Sequence, residues 1–212
     1  MTIMFGRTRE LPTSDTALTG RAERPYSVGD THAVTGNALI SDGPAGHEIA
    51  VFGLGCFWGE EKTYWEIPGV WSTTVGYAGG LTPHPTYDEV CSGRTGHAEV
   101  VRVVYDPAQV TYQQLLQVFW ENHDPTQGMR QGNDRGSQYR SIILTTTDEQ
   151  QTLAESSRVA YQQQMTTAGY GDITTSILPL SEYYYAEAVH QQYLARNPYG
   201  YCPLHATGVQ YV

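Results

Sequence analysis

Short apolar runs punctuated by glycine and proline dominate the ordered part of this chain. Glu48-Ile49-Ala50-Val51-Phe52 closes on Gly53-Leu54-Gly55 and predicts a buried strand. Apolar groups at 57, 58, 64 and 65 with charges between them predict an amphipathic helix, which Pro68-Gly69 stops. Val70 to Tyr77 reads as the next strand and Gly79-Gly80 as a turn. Residues 78–96 are rich in turn formers, and a long irregular stretch inside a compact domain usually has a function. His97 to Tyr105 is a β-branched strand ended by Asp106-Pro107. Thr111 to Asn122 carries Leu115, Leu116, Val118 and Phe119 at helical spacing. Asp124 to Gln138 is a second polar loop, and Tyr139 to Leu144 a strand. Thr147 caps a helix running to about Thr167. Ile173 to Leu178 predicts a strand, and Ala186 to Ala195 a short helix stopped by Asn197-Pro198. Strands and helices alternate around one core, so the class is α/β or α+β.

The two ends lack this pattern. Residues 1–45 are rich in Gly, Pro, Thr, Ser and Asp and predict an irregular N-terminal arm, wrapped on a core or loosely held. An ordered unit over 46–198 and an irregular tail over 199–212 complete the division. With 212 residues the chain can bury a core without disulfides or metals. The net charge of −10, with no Lys/Arg run, argues against nucleic acid and an anionic membrane surface as partners. No apolar stretch approaches the roughly 20 residues that cross a bilayer. The N-terminal MTIMFGRTRELPTSD has neither a long apolar core nor an A-x-A-like cleavage site, so no signal peptide and a cytoplasmic address are expected. The 16 tyrosines, against 4 Phe and 4 Trp, hint at a polar recognition surface, since a phenol packs and hydrogen-bonds at once.

Candidate chemistry centres on three cysteines, Cys56, Cys91 and Cys202, whose spacing makes neither a CxxC pair nor a zinc pattern. Cys56 falls where a buried strand hands over to a helix. Free N–H groups and the helix dipole there stabilise a thiolate and lower its pKa. The same segment fits a structural thiol beside two core aromatics, and these residues alone leave both readings open. Glu99, at the start of an apolar strand, is either a buried acid or an exposed strand-edge residue. His97, His123 and His190 near Glu99, Asp124 and Glu187 match no ligand set closely, so structural histidines and no metal are expected.

The segment Gly55-Cys56-Phe57-Trp58-Gly59-Glu60-Glu61 resembles the signature of the methionine sulfoxide reductase A family. Gly76-Tyr77-Ala78-Gly79-Gly80, Pro85-Thr86-Tyr87, Gly96-His97-Ala98-Glu99, His123-Asp124-Pro125 and Gln131 to Arg140 resemble further blocks of that family in its order, from about residue 46 to 202. The resemblance implies an α+β fold, a ferredoxin-like two-layer arrangement with a central mixed sheet and flanking helices. It implies reduction of methionine-S-sulfoxide, free or in proteins, and hence repair of oxidised proteins, without a cofactor. Cys56 is then the nucleophile and Glu99 the acid. Tyr87 and Tyr139 hydrogen-bond the sulfoxide oxygen, Phe57 and Trp58 hold the S-methyl group, and Asp134 helps position the substrate. Cys202, in the Gly-containing tail, resembles the resolving cysteine that turns a Cys56 sulfenic acid into a disulfide. Thioredoxin or another dithiol then reduces that disulfide. Cys91 is read as a bystander. Some bacterial members carry a further cysteine near the end of the tail where this chain has Gln210, which implies a two-cysteine enzyme. A monomer is expected. Two other readings compete: a Cys–His hydrolase or acyl transferase with His97 or His123 as base, and a Tyr-rich peptide-binding module with incidental thiols.

Overall fold

The structure, a computed structural model, describes residues 10–201 and 205–212. Among the described residues, eight strands and five α-helices follow one another as β1 (Glu48–Gly53), α1 (Phe57–Trp65), β2 (Val70–Ala78), α2 (Tyr87–Cys91), β3 (Ala98–Tyr105), α3 (Tyr112–Glu121), β4 (Arg130–Gln131), β5 (Asp134–Arg135), β6 (Ile142–Thr145), α4 (Asp148–Thr167), β7 (Ser176–Pro179), β8 (Tyr183–Tyr185) and α5 (Tyr193–Arg196). Six strands form a mixed sheet in the order β7-β6-β1-β3-β2-β8, in which only β6 and β7 run parallel. With flanking helices this is an α+β fold.

The sheet's parity decides what faces what. Val101, Val103 and Tyr105 of β3, with Ala50 and Phe52 of β1, meet Leu115, Leu116, Phe119 and Trp120 of α3 and Ala154, Tyr161 and Met165 of α4. Fully burying one such aliphatic or aromatic side chain contributes roughly 1.5–3 kcal/mol. The other face carries Val51, Ala98, Val100, Ile142 and Leu144. There Arg102 turns outward to Asp42 and donates to the carbonyl of Ser41 at 3.0 Å, so residues 41–42 of the arm cover that side. Every residue of β3 is buried, as a strand covered on both faces must be.

The helix caps follow their sequence signals. Thr111 caps α3 and Thr86 caps α2, each in a reciprocal capping box, with Gln114 and Glu89 as respective partners. Thr147 caps α4 by accepting from Gln150 N at 3.1 Å. β8 lies where the sequence predicted no strand, β6 and β7 each begin three residues later than predicted, and three further segments depart from the sequence reading. The 78–96 stretch contains α2, since the Thr86–Glu89 box closes a single helical turn within it. The 124–138 loop contains the β4–β5 hairpin and ends in a 3-10 turn, Ser137–Tyr139. The helix expected over 186–195 shrinks to α5, because the buried Gln191 side chain bonds to Val75 N at 3.0 Å and Val75 O at 2.9 Å. That fixes the segment to the sheet instead of letting it coil.

Candidate active site

The functional side chains gather at one end of the sheet, where β1 and β2 finish and the antiparallel β3 begins. Phe52 pairs with Val101 and Tyr77 with Glu99, so Glu99 lies on the helix-covered face at the strand end nearest Cys56. Cys56 is the N-cap residue of α1, with an extended backbone at φ −77° and ψ 115°. Gly55 before it sits at φ +131°, a conformation L side chains rarely adopt, and a Cβ there would fall 2.8 Å from Gln131 Cβ. Gln131 is itself held on both sides of its amide by the backbone of Asp124, at 3.1 and 3.0 Å. The turn carrying the thiol and the loop carrying Asp134 are therefore in direct contact.

Glu99 is buried, 1% exposed, and its Oε2 accepts the backbone N–H of Phe57 at 3.2 Å. Its Oε1 has no partner among the described residues. Burial pushes the carboxyl up to about 8, with the Phe57 N–H pulling the other way and Asp134 adding to the rise. The acid is thus neutral at pH 7. Burial also pushes the Cys56 thiol well above its ordinary value, helped by the charges of Glu99, Glu60 and Asp134 and opposed by a hydrogen bond from Trp58 N–H. This corrects the expectation from the helix N-terminus: the dipole and its N–H group are present, but desolvation beside acidic groups outweighs them.

An aromatic cluster builds on Phe57 and Trp58, the two residues that follow Cys56 at the start of α1. Phe57 is fully buried, with ring centroids 6.0 Å from Tyr77, 6.4 Å from Tyr87 and 5.5 Å from His190. Trp58 stacks on Tyr193 at 4.1 Å, and Tyr87 packs on His190 at 4.4 Å. Tyr87 opens α2, where its backbone N–H reaches Glu187 Oε1 at 2.8 Å and its phenol hydrogen-bonds Cys91. Tyr139 ends the 3-10 turn, which Arg140 fastens to the Gly79 turn by donating to Ser137 O at 2.8 Å and Gly79 O at 3.0 Å. Burial first, and then the charge of Glu99, raises both phenols, so they stay neutral donors. Asp134 on β5 accepts from Tyr201 Oη at 3.2 Å.

Cys56, Phe57, Trp58, Tyr87, Glu99, Asp134 and Tyr139 thus meet in one region, while Cys202 lies outside the described residues. Sequence reasoning did not single out Tyr193, and it weighed His190 and Glu187 only as metal ligands. Glu187 accepts from Tyr77 Oη at 2.7 Å as well as from Tyr87 N, and so ties β2 to α2. The sequence of Ala186–Ala195 predicts a short helix, and its density of aromatic and amide side chains is the one signal that marks it for the site. His97 and His123 have both ring nitrogens engaged, and burial holds each at about 4. Among the described residues no group of three or more His, Cys, Asp or Glu is placed to hold a metal ion. None of the helices formed by these residues is long and apolar enough to cross a membrane.

Known proteins resemble this chain in sequence and fold. The family profile described as peptide methionine sulfoxide reductase matches residues 48–210. The peptide methionine sulfoxide reductase MsrA of Rhodospirillum centenum is 62% identical over 201 residues, covering 95% of this chain and 91% of that protein. The solved methionine sulfoxide reductase A of Corynebacterium diphtheriae superposes with a TM-score of 0.87 at 50% identity, covering 94% of this chain and 97% of its own. Mxr1 from Saccharomyces cerevisiae, solved in complex with Trx2, is 27% identical with a TM-score of 0.50, covering 78% of this chain and 93% of its own. Identity of this degree over nearly the whole length, on a shared architecture, means that the chain belongs to the peptide methionine sulfoxide reductase A family of oxidoreductases.

Proposed function

We propose that this chain reduces methionine sulfoxide, free or within proteins, to methionine, with the S epimer at sulfur as the substrate its family points to. The observation that carries the reading is the meeting of the Cys56 sulfur, a neutral Glu99 and the phenols of Tyr87 and Tyr139 beside the Phe57–Trp58 recess. The recess takes the S-methyl group, and the phenols donate to the sulfoxide oxygen. Asp134, anchored to Tyr201, steadies the substrate backbone.

Cys56 sulfur forms a bond to the sulfoxide sulfur while Glu99 gives its proton to the oxygen, and the thiol proton restores Glu99. The oxygen then passes to Cys56 as the substrate S–O bond and the newly formed S–S bond break, leaving a Cys56 sulfenic acid and the thioether of methionine. The substrate sulfur gains two electrons and the cysteine sulfur loses two. The raised thiol pKa is compatible with this step, because the proton leaves during attack and no standing thiolate is required. Cys202 condenses with the sulfenic acid, releasing water and forming a Cys56–Cys202 disulfide. Its described sequence neighbours support that role: Tyr201 bonds Asp134, and His205 lies against Gly132. A dithiol then reduces the disulfide, and the yeast relative's complex with Trx2 supports a thioredoxin. In this reading residues 46–198 form the catalytic unit of a cytoplasmic monomer active in protein repair. Residues 1–45 are its arm, and 199–212 carry the resolving thiol.

The test is a single turnover. Methionine sulfoxide added without reductant consumes two thiols per chain and yields a Cys56–Cys202 link by mass spectrometry. A Cys56–Cys91 link overturns the resolving role of Cys202. A Cys56→Ser variant that still reduces methionine sulfoxide with dithiothreitol overturns the mechanism.

A further inference from the structure

The loop carrying Tyr87 is short of internal support. α2 has only five residues, far below the roughly 12–15 at which a helix holds itself in water. Its capping box rests on Glu89, whose Oε2 accepts Thr86 N at 2.9 Å. Ahead of it His84 stands at φ 47°, an uncommon place for a non-glycine residue. Something outside the loop must hold this conformation.

The arm supplies it. Arg21 Nη1 donates to Glu89 Oε2 at 2.9 Å and Nη2 to Glu89 Oε1 at 2.5 Å, a two-pronged pair whose geometry fixes the carboxylate plane. The same Nη1 reaches the carbonyl of His84 at 2.5 Å. One guanidinium therefore grips both Glu89, the capping-box partner of Thr86, and the strained residue before Pro85. Neighbouring arm residues bind the same loop: Leu18 N donates to Arg94 O at 3.0 Å, Thr82 Oγ1 donates to Leu18 O at 2.8 Å, and Tyr26 Oη lies 2.7 Å from Pro85 O. At Gly20, φ +71°, a Cβ would stand 2.4 Å from Pro83 O, so the arm runs directly against the loop. The Arg21 guanidinium also holds the Glu89 carboxyl below its ordinary value, which keeps both prongs charge-assisted.

We propose that Arg21 is a positioning residue of the catalytic site: by clamping Glu89 and His84 it sets the first turn of α2 and with it the phenol of Tyr87. The chain of contact is continuous. Arg21 holds Glu89, Glu89 holds the Thr86 N–H, and the next residue, Tyr87, places its ring on Phe57 and His190. The arm, otherwise a cover over the sheet, thereby acts on turnover. The inference rests on the reading of Tyr87 as a donor to the sulfoxide oxygen, and its test separates the two.

The experiment is a double-mutant cycle of Arg21→Ala with Tyr87→Phe on the full-length protein, measured as kcat and KM for methionine sulfoxide with dithiothreitol as reductant. Arg21→Ala is expected to lower kcat about tenfold with a smaller change in KM, since the oxygen gains charge as the S–O bond yields. Arg21→Lys, which keeps the charge and loses the two-pronged geometry, is expected to recover only part of the loss. In the Tyr87→Phe background Arg21→Ala is expected to add nothing. A full further loss there, or no loss from Arg21→Ala alone, overturns the proposal. Tyr87→Phe without effect overturns the donor reading itself. If Arg21→Ala does not fold, Glu89→Gln replaces it in the cycle with the same expected outcomes, because the amide keeps an acceptor for Thr86 N and loses the ion pair.

Discussion

Glu99 Oε2 accepts the backbone N–H of Phe57 at 3.2 Å, so the buried acid is bonded to the first turn of the helix that Cys56 caps. Acid and nucleophile come from different elements, β3 and the N-terminus of α1, yet one hydrogen bond ties them together. That bond occupies Oε2 and leaves Oε1 for the proton. Because the folded carboxyl titrates at about 8, it is the acid form that is present at neutral pH. Turnover in saturating substrate should hold steady below pH 7 and fall as pH rises through about 8. A Glu99→Gln variant should lose about 10²–10⁴-fold in kcat, the usual worth of a positioned general acid. A pH–rate profile of both proteins checks this, and a wild-type rate that rises through pH 8 overturns the assignment.

The same shift makes a stability prediction. Glu99 holds its proton up to about 8 when folded but only to about 4.5 when unfolded, so the folded state binds more protons between these values. Its contribution is present below pH 4.5 and is lost progressively as pH rises to about 8, by up to about 1.4 kcal/mol per pH unit. Glu99→Gln lacks this loss. Its melting temperature relative to the wild type should therefore climb between pH 5 and 8 and then level off. Glu60 shifts in the same direction, chiefly through its own burial, which both proteins share, and only to a lesser degree through the Glu99 charge that the variant lacks.

Tyr193 stacks on Trp58 with ring centroids 4.1 Å apart and an interplanar angle of 21°. Trp58 is a half-buried wall of the recess and depends on that partner for its orientation. Aromatic pairs of this kind contribute about 0.5–1.5 kcal/mol beyond the area they bury. Tyr193→Ala should raise KM roughly three- to tenfold and change kcat less, because the apolar wall acts on the substrate and the transition state alike. Steady-state kinetics decides it, and an unchanged KM sinks the idea.

Much of this was legible in the sequence, and the exceptions share a cause. β1, α1, β2, β3, α3 and α4 lie within one or two residues of their predicted places, because each is a continuous apolar run or a capped periodic one. β8 was missed: Tyr183-Tyr184-Tyr185 has no alternation of apolar and polar residues, and its place comes from pairing with Gly76 to Ala78. Gln192 likewise takes a left-handed turn, φ 46°, because the buried Glu61 accepts its N–H at 2.7 Å and its side-chain amide at 2.6 Å. Such long-range bonds leave no local pattern. At the site, Cys56 and Glu99 could be singled out by motif. The state of the Cys56 thiol could not, since its burial among Glu99, Glu60 and Asp134 appears only once the chain is folded.

Glu61 sits one turn from the nucleophile and is completely buried, with Gln192 N, Gln192 Nε2 and Thr73 Oγ1 as its donors. Removing it strands the backbone N–H of Gln192 in a dry interior and leaves its Nε2 with Thr73 O at 3.3 Å, at about 1–3 kcal/mol for each unsatisfied group. Glu61→Ala should therefore lower the unfolding free energy by about 2–4 kcal/mol in urea titration. The loss should also reach the site, because Gln192 lies between His190, which packs on Tyr87 and Trp58, and Tyr193, which stacks on Trp58. KM should rise in the Ala variant. Glu61→Gln should lose less than Glu61→Ala, since one amide oxygen still accepts and the burial penalty on the carboxyl, which titrates near 7, disappears, although the new NH2 faces a donor. If the Ala variant melts like the wild type, Glu61 does not hold α5 to α1; if it melts early but binds substrate unchanged, the aromatic recess does not depend on that tether.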